Sequence, residues 1–260
     1  MNPVMDVLLN RKSVRAYEDR PVPDVVRDEI LQAAMRAPTA GNMMLYSVIH
    51  VSSQAAKETL ARTCDNQPFI AKAPLALLFL ADYQRWYDYF IHSGVERLRD
   101  QRGEPLQKPE EGDLFLACCD ALIAAHTAVI AAESVGLGSC YIGDIMENYE
   151  AHRDLFKLPR YVFPICLVCF GYPTKQQMER PLTPRFRQDF IVFENEYRAL
   201  DGREYKEMFR PMQDEMARGG PKPEGIENPG QMMYIRKFSA DFSKEMRRSV
   251  RVMLQSWAQA

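Results

Sequence analysis

Two guanidiniums, an ammonium and a hydroxyl fall within five residues at Arg11, Lys12, Ser13 and Arg15. Arg offers a bidentate fork, Lys a point charge and Ser a neutral donor, so the set can bind a phosphate. It also fits a solvated basic surface patch, because short basic runs are common. Further on, Pro38-Thr39-Ala40-Gly41-Asn42 is small and polar and can bring backbone N–H groups close to a ligand. Other candidate motifs point away from chemistry. Cys166-Leu167-Val168-Cys169 has redox or metal spacing, but it lies in a run that reads as a buried strand, where residues three apart face opposite ways. Redox pairs instead use a helix N-terminus to lower the thiol pKa, so these cysteines read as structural. Cys118-Cys119 reads as core within a helix. The four histidines show no H-E-x-x-H pattern, and no metal site is expected. Gly136-Leu137-Gly138 suggests a dinucleotide loop, yet Rossmann glycines follow a strand and open a helix, and here the order is reversed.

These residues need elements to position them. Residues 3–9 read as a short helix with Val4, Leu8 and Leu9 inward. Pro23 and Asp24 suit the first turn of a helix running to about Arg36, ended by Pro38. Tyr46 to Val51 alternates like a strand, and Ser53 caps a helix to about Thr63. Leu75 to Ala81 and Phe163 to Phe170 are continuous apolar runs typical of buried strands. Residues 84–99 and 147–156 read as helices, 100–112 as a mobile surface loop, 139–142 as a short strand and 172–184 as extended. Residues 113–134 carry Ala and Leu on nearly every side and predict an enclosed helix. From Glu204 the chain is polar and helical, 218–230 is a Gly- and Pro-rich loop, and 238–257 is an amphipathic helix.

At 260 residues, 47% hydrophobic and 26% charged, the chain matches an ordinary globular protein with a substantial core. A net charge of −2 gives no pull toward nucleic acid or acidic membrane. Asp120, His126 and Glu133 interrupt the most apolar segment, arguing for a core helix over a membrane span. The opening residues lack a charged region leading into an apolar run, so a cytoplasmic protein is expected.

Arg11-Lys12-Ser13-Val14-Arg15, a helix, and then Ala37-Pro38-Thr39-Ala40-Gly41-Asn42 resemble the opening of the nitroreductase family of FMN-dependent oxidoreductases. The stretch from Ala132 to Gly143 is similar to the family's glycine turn. Asn66-Gln67-Pro68-Phe69 resembles its loop at the flavin pyrimidine edge. Pro184-Arg185 with Phe193-Glu194-Asn195-Glu196-Tyr197 resembles the K-P-R segment of the larger, NADPH-dependent branch of flavin and nitro reductases. The matches run in family order and span most of the chain.

The resemblance implies an α+β fold, with a central, mainly antiparallel sheet flanked by helices, in an intertwined homodimer with two FMN sites at the interface. It implies one FMN-binding domain over 1–260, with 200–260 as a C-terminal helical extension. Arg11, Lys12, Ser13 and Arg185 would hold the FMN phosphate, and Arg15 would lie near N1 and O2. Pro38, Thr39, Ala40 and Asn42 would come from the other protomer. Asn66 and Gln67 would meet the pyrimidine edge, and Tyr141, Ile142, Gly143 and Asp144 would run along the ring, with a Gly143 or Asp144 N–H aimed at N5. No catalytic side chain is expected, since the cofactor carries the chemistry. The implied partners are NAD(P)H and a small electron acceptor (a nitroaromatic, quinone or free flavin) in a ping-pong cycle. Arg203 and Arg210 are candidates for the nicotinamide phosphate. The family also admits another flavin reaction, such as dehalogenation, dehydrogenation or flavin breakdown, or a non-enzymatic flavin-binding protein. Two departures stand out: Thr183 replaces the usual Lys, and Met43-Met44-Leu45-Tyr46 replaces an Asn-x-Gln-Pro-Trp run of the smaller branch.

Overall fold

The computed structural model describes residues 2–219 and 224–258, so part of the loop expected at 218–230 lies outside the described residues. The helices are α1 (Pro3–Asn10), α2 (Asp24–Ala34), α3 (Gln54–Thr63), α4 (Phe69–Lys72), α5 (Gln84–His92), α6 (Val95–Gln101), α7 (Glu111–Ser134), α8 (Tyr149–Phe156), α9 (Lys175–Glu179), α10 (Gly202–Arg218), α11 (Pro229–Met233) and α12 (Asp241–Ala258). The strands are β1 (Tyr46–His50), β2 (Leu75–Asp82), β3 (Gly138–Ile142) and β4 (Val162–Gly171). They form one sheet in the order β1-β2-β4-β3, antiparallel at every step, which is the α+β arrangement expected.

β2 and β4 are buried along their whole length because helices cover both sheet faces. Alternation then sorts their side chains into two cores. Leu75, Leu77, Phe79, Phe163, Val168 and Phe170 face α2, α7 and the end of α12. Ala76, Leu78, Leu80, Leu167 and Cys169 face α3 and α4. Cys166 belongs to the first core and Cys169 to the second, so the two thiols diverge as the strand reading requires. Burial pushes the Cys166 thiol up to about 12 and the Cys169 thiol well above its usual value, so neither is a reactive thiolate.

Several expectations need correction. α1 lies along α7, but none of its residues is buried, and Val4, Leu8 and Leu9 are exposed rather than inward. The helix expected over 84–99 is two helices, because Gly94 takes a left-handed conformation (φ 80°) and turns the chain between α5 and α6. The extended stretch at 172–184 contains α9. α7 is not enclosed: Leu114, Ala117, Asp120, Ala121 and Ala124 are buried, while Phe115 is 68% exposed, Leu116 49%, Leu122 46% and Ile123 40%. The sheet and α2 cover one side of this helix and leave an apolar side uncovered by any described residue. By length and composition α7 is apolar enough to cross a membrane, but its buried side packs on β2, β4 and α2.

The chain divides into two compact units, Met1–Arg180 with Glu245–Ala260, and Pro181–Lys244. The extension expected over 200–260 is thus shared between them, and Trp257 is fully buried in the first unit's core. In the second unit, Asp201 and Glu204 form a reciprocal capping box that starts α10. Phe186 stacks edge-on against Phe209 with ring centroids 5.1 Å apart.

Candidate functional site

The basic segment is laid on the sheet by the backbone. Val14 N–H donates to Ser139 O at 2.8 Å, Glu18 N–H to Tyr172 O at 2.8 Å, and Ser13 pairs with Ser139 in a parallel bridge. The close approach requires glycine beneath it. A Cβ on Gly138 would stand 2.5 Å from Val14 Cγ2, and one on its strand partner Gly171 would stand 2.7 Å from Tyr17 Cδ1. The family-like glycine therefore serves packing of the N-terminal segment over β3.

Within the cluster, the four polar residues separate. Arg11 Nε and Nη2 are sealed from solvent and have no hydrogen-bond partner among the described residues. A sealed, unsatisfied polar group costs about 1–3 kcal/mol, and more when charged. Glu133 lies within electrostatic reach of Arg11 but makes no ion pair with it, and its carboxylate accepts from Ser139 Oγ at 2.8 Å. Burial pushes the Cys140 thiol pKa up, partly offset by Arg15, Arg11 and the Ser13 hydroxyl nearby. Lys12, expected in the phosphate set, commits two of its three ammonium donors within the chain. Its ammonium donates to Met178 O at 2.7 Å and Arg180 O at 2.5 Å, where carbonyls are exposed at the end of α9 and attract a cation. Arg180, which sequence reasoning missed, donates in turn to Ser13 O. Arg185 lies in the second unit, exposed, with its guanidinium donating to Thr183 O at 3.2 Å.

The strand β3 leads from this cluster into a 3-10 turn at Gly143–Met146. Gly143 is exposed, Tyr141 is half-buried with its hydroxyl 3.4 Å from His126 Nδ1, and Ile142 is buried, so any ligand contact from Ile142 is through main chain. The turn meets the 64–68 loop. Gln67 Nε2 donates to Asp144 Oδ2 at 2.7 Å and to Cys64 O at 3.0 Å, which leaves its carbonyl oxygen to accept from a ligand. Asn66 is exposed and left-handed (φ 50°), as is Asp65 before it (φ 53°). The structure thus lays the Arg11–Arg15 segment against the start of β3 at Ser139 and joins the 141–144 stretch to Gln67 at its far end. It does not bring the Pro38–Asn42 loop there: that loop packs in the first core, and no described hydrogen bond or ion pair joins it to residues 11–15.

Glu147, next to this turn, was not singled out from sequence. It is 3% exposed, and its Oε1 has no described hydrogen-bond partner. Burial, then Asp144, then Asp65 push its pKa from 4.5 up to about 8. The unfolded chain therefore releases this proton before the folded chain does. The contribution to stability is fully present below about pH 4.5 and is lost as pH rises through about 8. Glu147→Gln, which stays neutral, is expected to raise the melting temperature at about pH 8.5 and to change it little at about pH 5. Equal shifts at both pH values in thermal unfolding would contradict this.

His152 has a structural role: fully buried, it links Ile145 O at 2.8 Å and Thr63 Oγ1 at 2.7 Å, and burial lowers its pKa. Among the described residues, no group of His, Cys, Asp or Glu is arranged to hold a metal.

A family model described as the nitroreductase family matches residues 8–172. An FMN reductase (NAD(P)H) of Bacillus subtilis is 34% identical over 185 residues, 71% of this chain and 72% of its own. An oxygen-insensitive NADPH nitroreductase of Salmonella typhimurium is 31% identical over 201 residues, 77% of each chain. The solved structure of NfrA2 from B. megaterium superposes with a TM-score of 0.81 at 26% identity, over 99% of this chain and 98% of that one.

Proposed function

Since the chain belongs to the nitroreductase family, among its NADPH-dependent flavin and nitro reductases, we propose that it passes hydride from NAD(P)H through FMN to nitroaromatics, quinones or free flavins. The observation that carries this reading is the Arg11 guanidinium, with two sealed nitrogens that lack a partner among the described residues, near Ser13 and Arg15. Its donor set fits a phosphate, the anion that FMN carries.

FMN, when bound, would supply a two-electron carrier between NAD(P)H and the acceptor, as a ping-pong cycle requires. The chain's residues bind and orient. Arg11 and Ser13 would hold the phosphate, and Lys12 would anchor the segment through its bonds to Met178 O and Arg180 O. Arg15 offers a fixed cation to the N1 and O2 region, where negative charge gathers on reduction. Gln67, oriented by Asp144, presents its carbonyl oxygen to the pyrimidine edge, with Asn66 beside it. Tyr141, Ile142, Gly143 and Asp144 line the ring and supply a backbone N–H toward N5. No side chain is assigned proton transfer, because solvent can supply protons. Arg203 and Arg210 on α10 are candidates for the nicotinamide phosphate.

The chain works as a homodimer in this reading. The uncovered apolar side of α7 supports it, as does the separation of the Pro38–Asn42 loop from the Arg11 cluster. Pro38, Thr39, Ala40 and Asn42 then complete the partner's flavin site. The enzyme draws on NAD(P)H in the cytoplasm.

A visible absorption spectrum before and after anaerobic NADPH tests the proposal. The expected result is a flavin spectrum that bleaches. A protein that stays colourless after added FMN would overturn it.

A further inference from the structure

The Ala40–Leu45 turn passes through three left-handed residues, one of which is disfavoured there. Gly41, Asn42 and Met44 all have left-handed backbone, with φ of 55°, 56° and 51°. Gly and Asn adopt it readily, but for Met it costs on the order of 1–3 kcal/mol unless the surroundings impose it. Two helices impose it. Asp120, on α7 and only 2% exposed, accepts from Ala40 N–H with Oδ1 at 2.9 Å and from Leu45 N–H with Oδ2 at 3.0 Å. One carboxylate therefore pins both ends of the turn.

The carbonyls are held from the other side, by α5. Trp86 Nε1 donates to Met43 O at 2.6 Å, and Arg85 Nη2 donates to Met44 O at 2.6 Å and Tyr46 O at 2.9 Å. Gly41 and Asn42 stay exposed at the crest. Asp120 makes no ion pair among the described residues, so backbone N–H groups satisfy this buried anion. A buried carboxylate is an expensive way to hold a surface turn, and here it sets where the turn's exposed crest points. A helix as apolar as α7 gains nothing in packing from a charge at this position.

We propose that Asp120 is a positioning residue for the flavin. Through its two hydrogen bonds it fixes the turn that presents Asn42 to the cofactor. The inference rests on the reading that this turn contacts FMN.

The test measures FMN affinity by fluorescence titration of the apoprotein, together with the flavin absorption bands and the melting temperature. The variants are Asp120→Asn, Ala124→Gly on the same buried side of α7, and Trp86→Phe. Asp120→Asn keeps the shape but turns an amide N–H against a backbone N–H. It is expected to weaken FMN binding by about tenfold, with shifted flavin bands, the cost of one positioned hydrogen bond. Ala124→Gly is expected to lower the melting temperature and leave FMN affinity and bands at their wild-type values. Trp86→Phe removes one of the hydrogen bonds by which α5 holds the turn, without touching α7, and is expected to weaken FMN several-fold; it carries the test if Asp120→Asn does not fold. Wild-type affinity and bands in Asp120→Asn would overturn the proposal. So would weakening by Ala124→Gly equal to that by Asp120→Asn, or, with Asp120→Asn unfolded, wild-type affinity in Trp86→Phe. Wild-type apoprotein that binds no FMN would instead sink the underlying flavin reading.

Discussion

Arg11→Met is expected to weaken FMN binding by about 100-fold while leaving the apoprotein as stable as wild type, or more so. The two effects share one cause. Arg11 Nε and Nη2 are sealed from solvent and have no partner among the described residues, so in the apoprotein the charge costs stability. A phosphate converts the same nitrogens into charge-assisted donors, each worth roughly 1.5–3 kcal/mol, so losing them weakens binding by about 10- to 100-fold per bond. Methionine keeps the bulk of the side-chain stem and removes the charge, which separates packing from electrostatics. Arg11→Lys is expected to recover only part of the affinity, because a point charge cannot reproduce the fork. Equilibrium titration with FMN and thermal unfolding of the apoprotein check both halves. If Arg11 were part of a solvated basic patch, neither quantity would move.

A charge on the uncovered side of α7 is expected to have the second largest effect. Ile123→Glu should convert a dimer into a monomer and, with the partner's Pro38–Asn42 loop removed, release most of the flavin. Phe115 and Leu122 are seven residues apart, as are Leu116 and Ile123, so the four exposed side chains form one stripe along the helix. Fully burying each would contribute roughly 1.5–3 kcal/mol, an uncommonly large amount to leave in water on one helix. Sedimentation velocity and the flavin-to-protein ratio read the outcome. A variant that remains dimeric with full flavin content would remove this face from the interface.

Much of the scaffold was legible in the sequence because its signals are local. β2 and β4 announce themselves as continuous apolar runs, and both are buried at every position. Ser53 caps α3 as read, its side chain accepting from Ala56 N–H. The strand period alone sends Cys166 and Cys169 to opposite cores. The basic cluster, the small polar turn, the amide loop and the glycine turn were likewise visible as residue types in family order.

What only the tertiary structure decided is which charge does what, and the reason is distance along the chain. Lys12 looked equivalent to Arg11, but residues more than 160 positions away supply the carbonyls that occupy it. Asp120 looked like an interruption in an apolar helix; the amides it satisfies lie 75 and 80 residues earlier. Glu147 falls in a stretch that reads only as helical, and folding seals it near Asp144. α7 looked enclosed because it is apolar on all sides, and periodicity cannot say whether its own chain or another supplies the cover. Sequence determined most of the elements and the donors, which depend on neighbours within a few residues. The partner of each buried charge depends on elements that only the fold brings together.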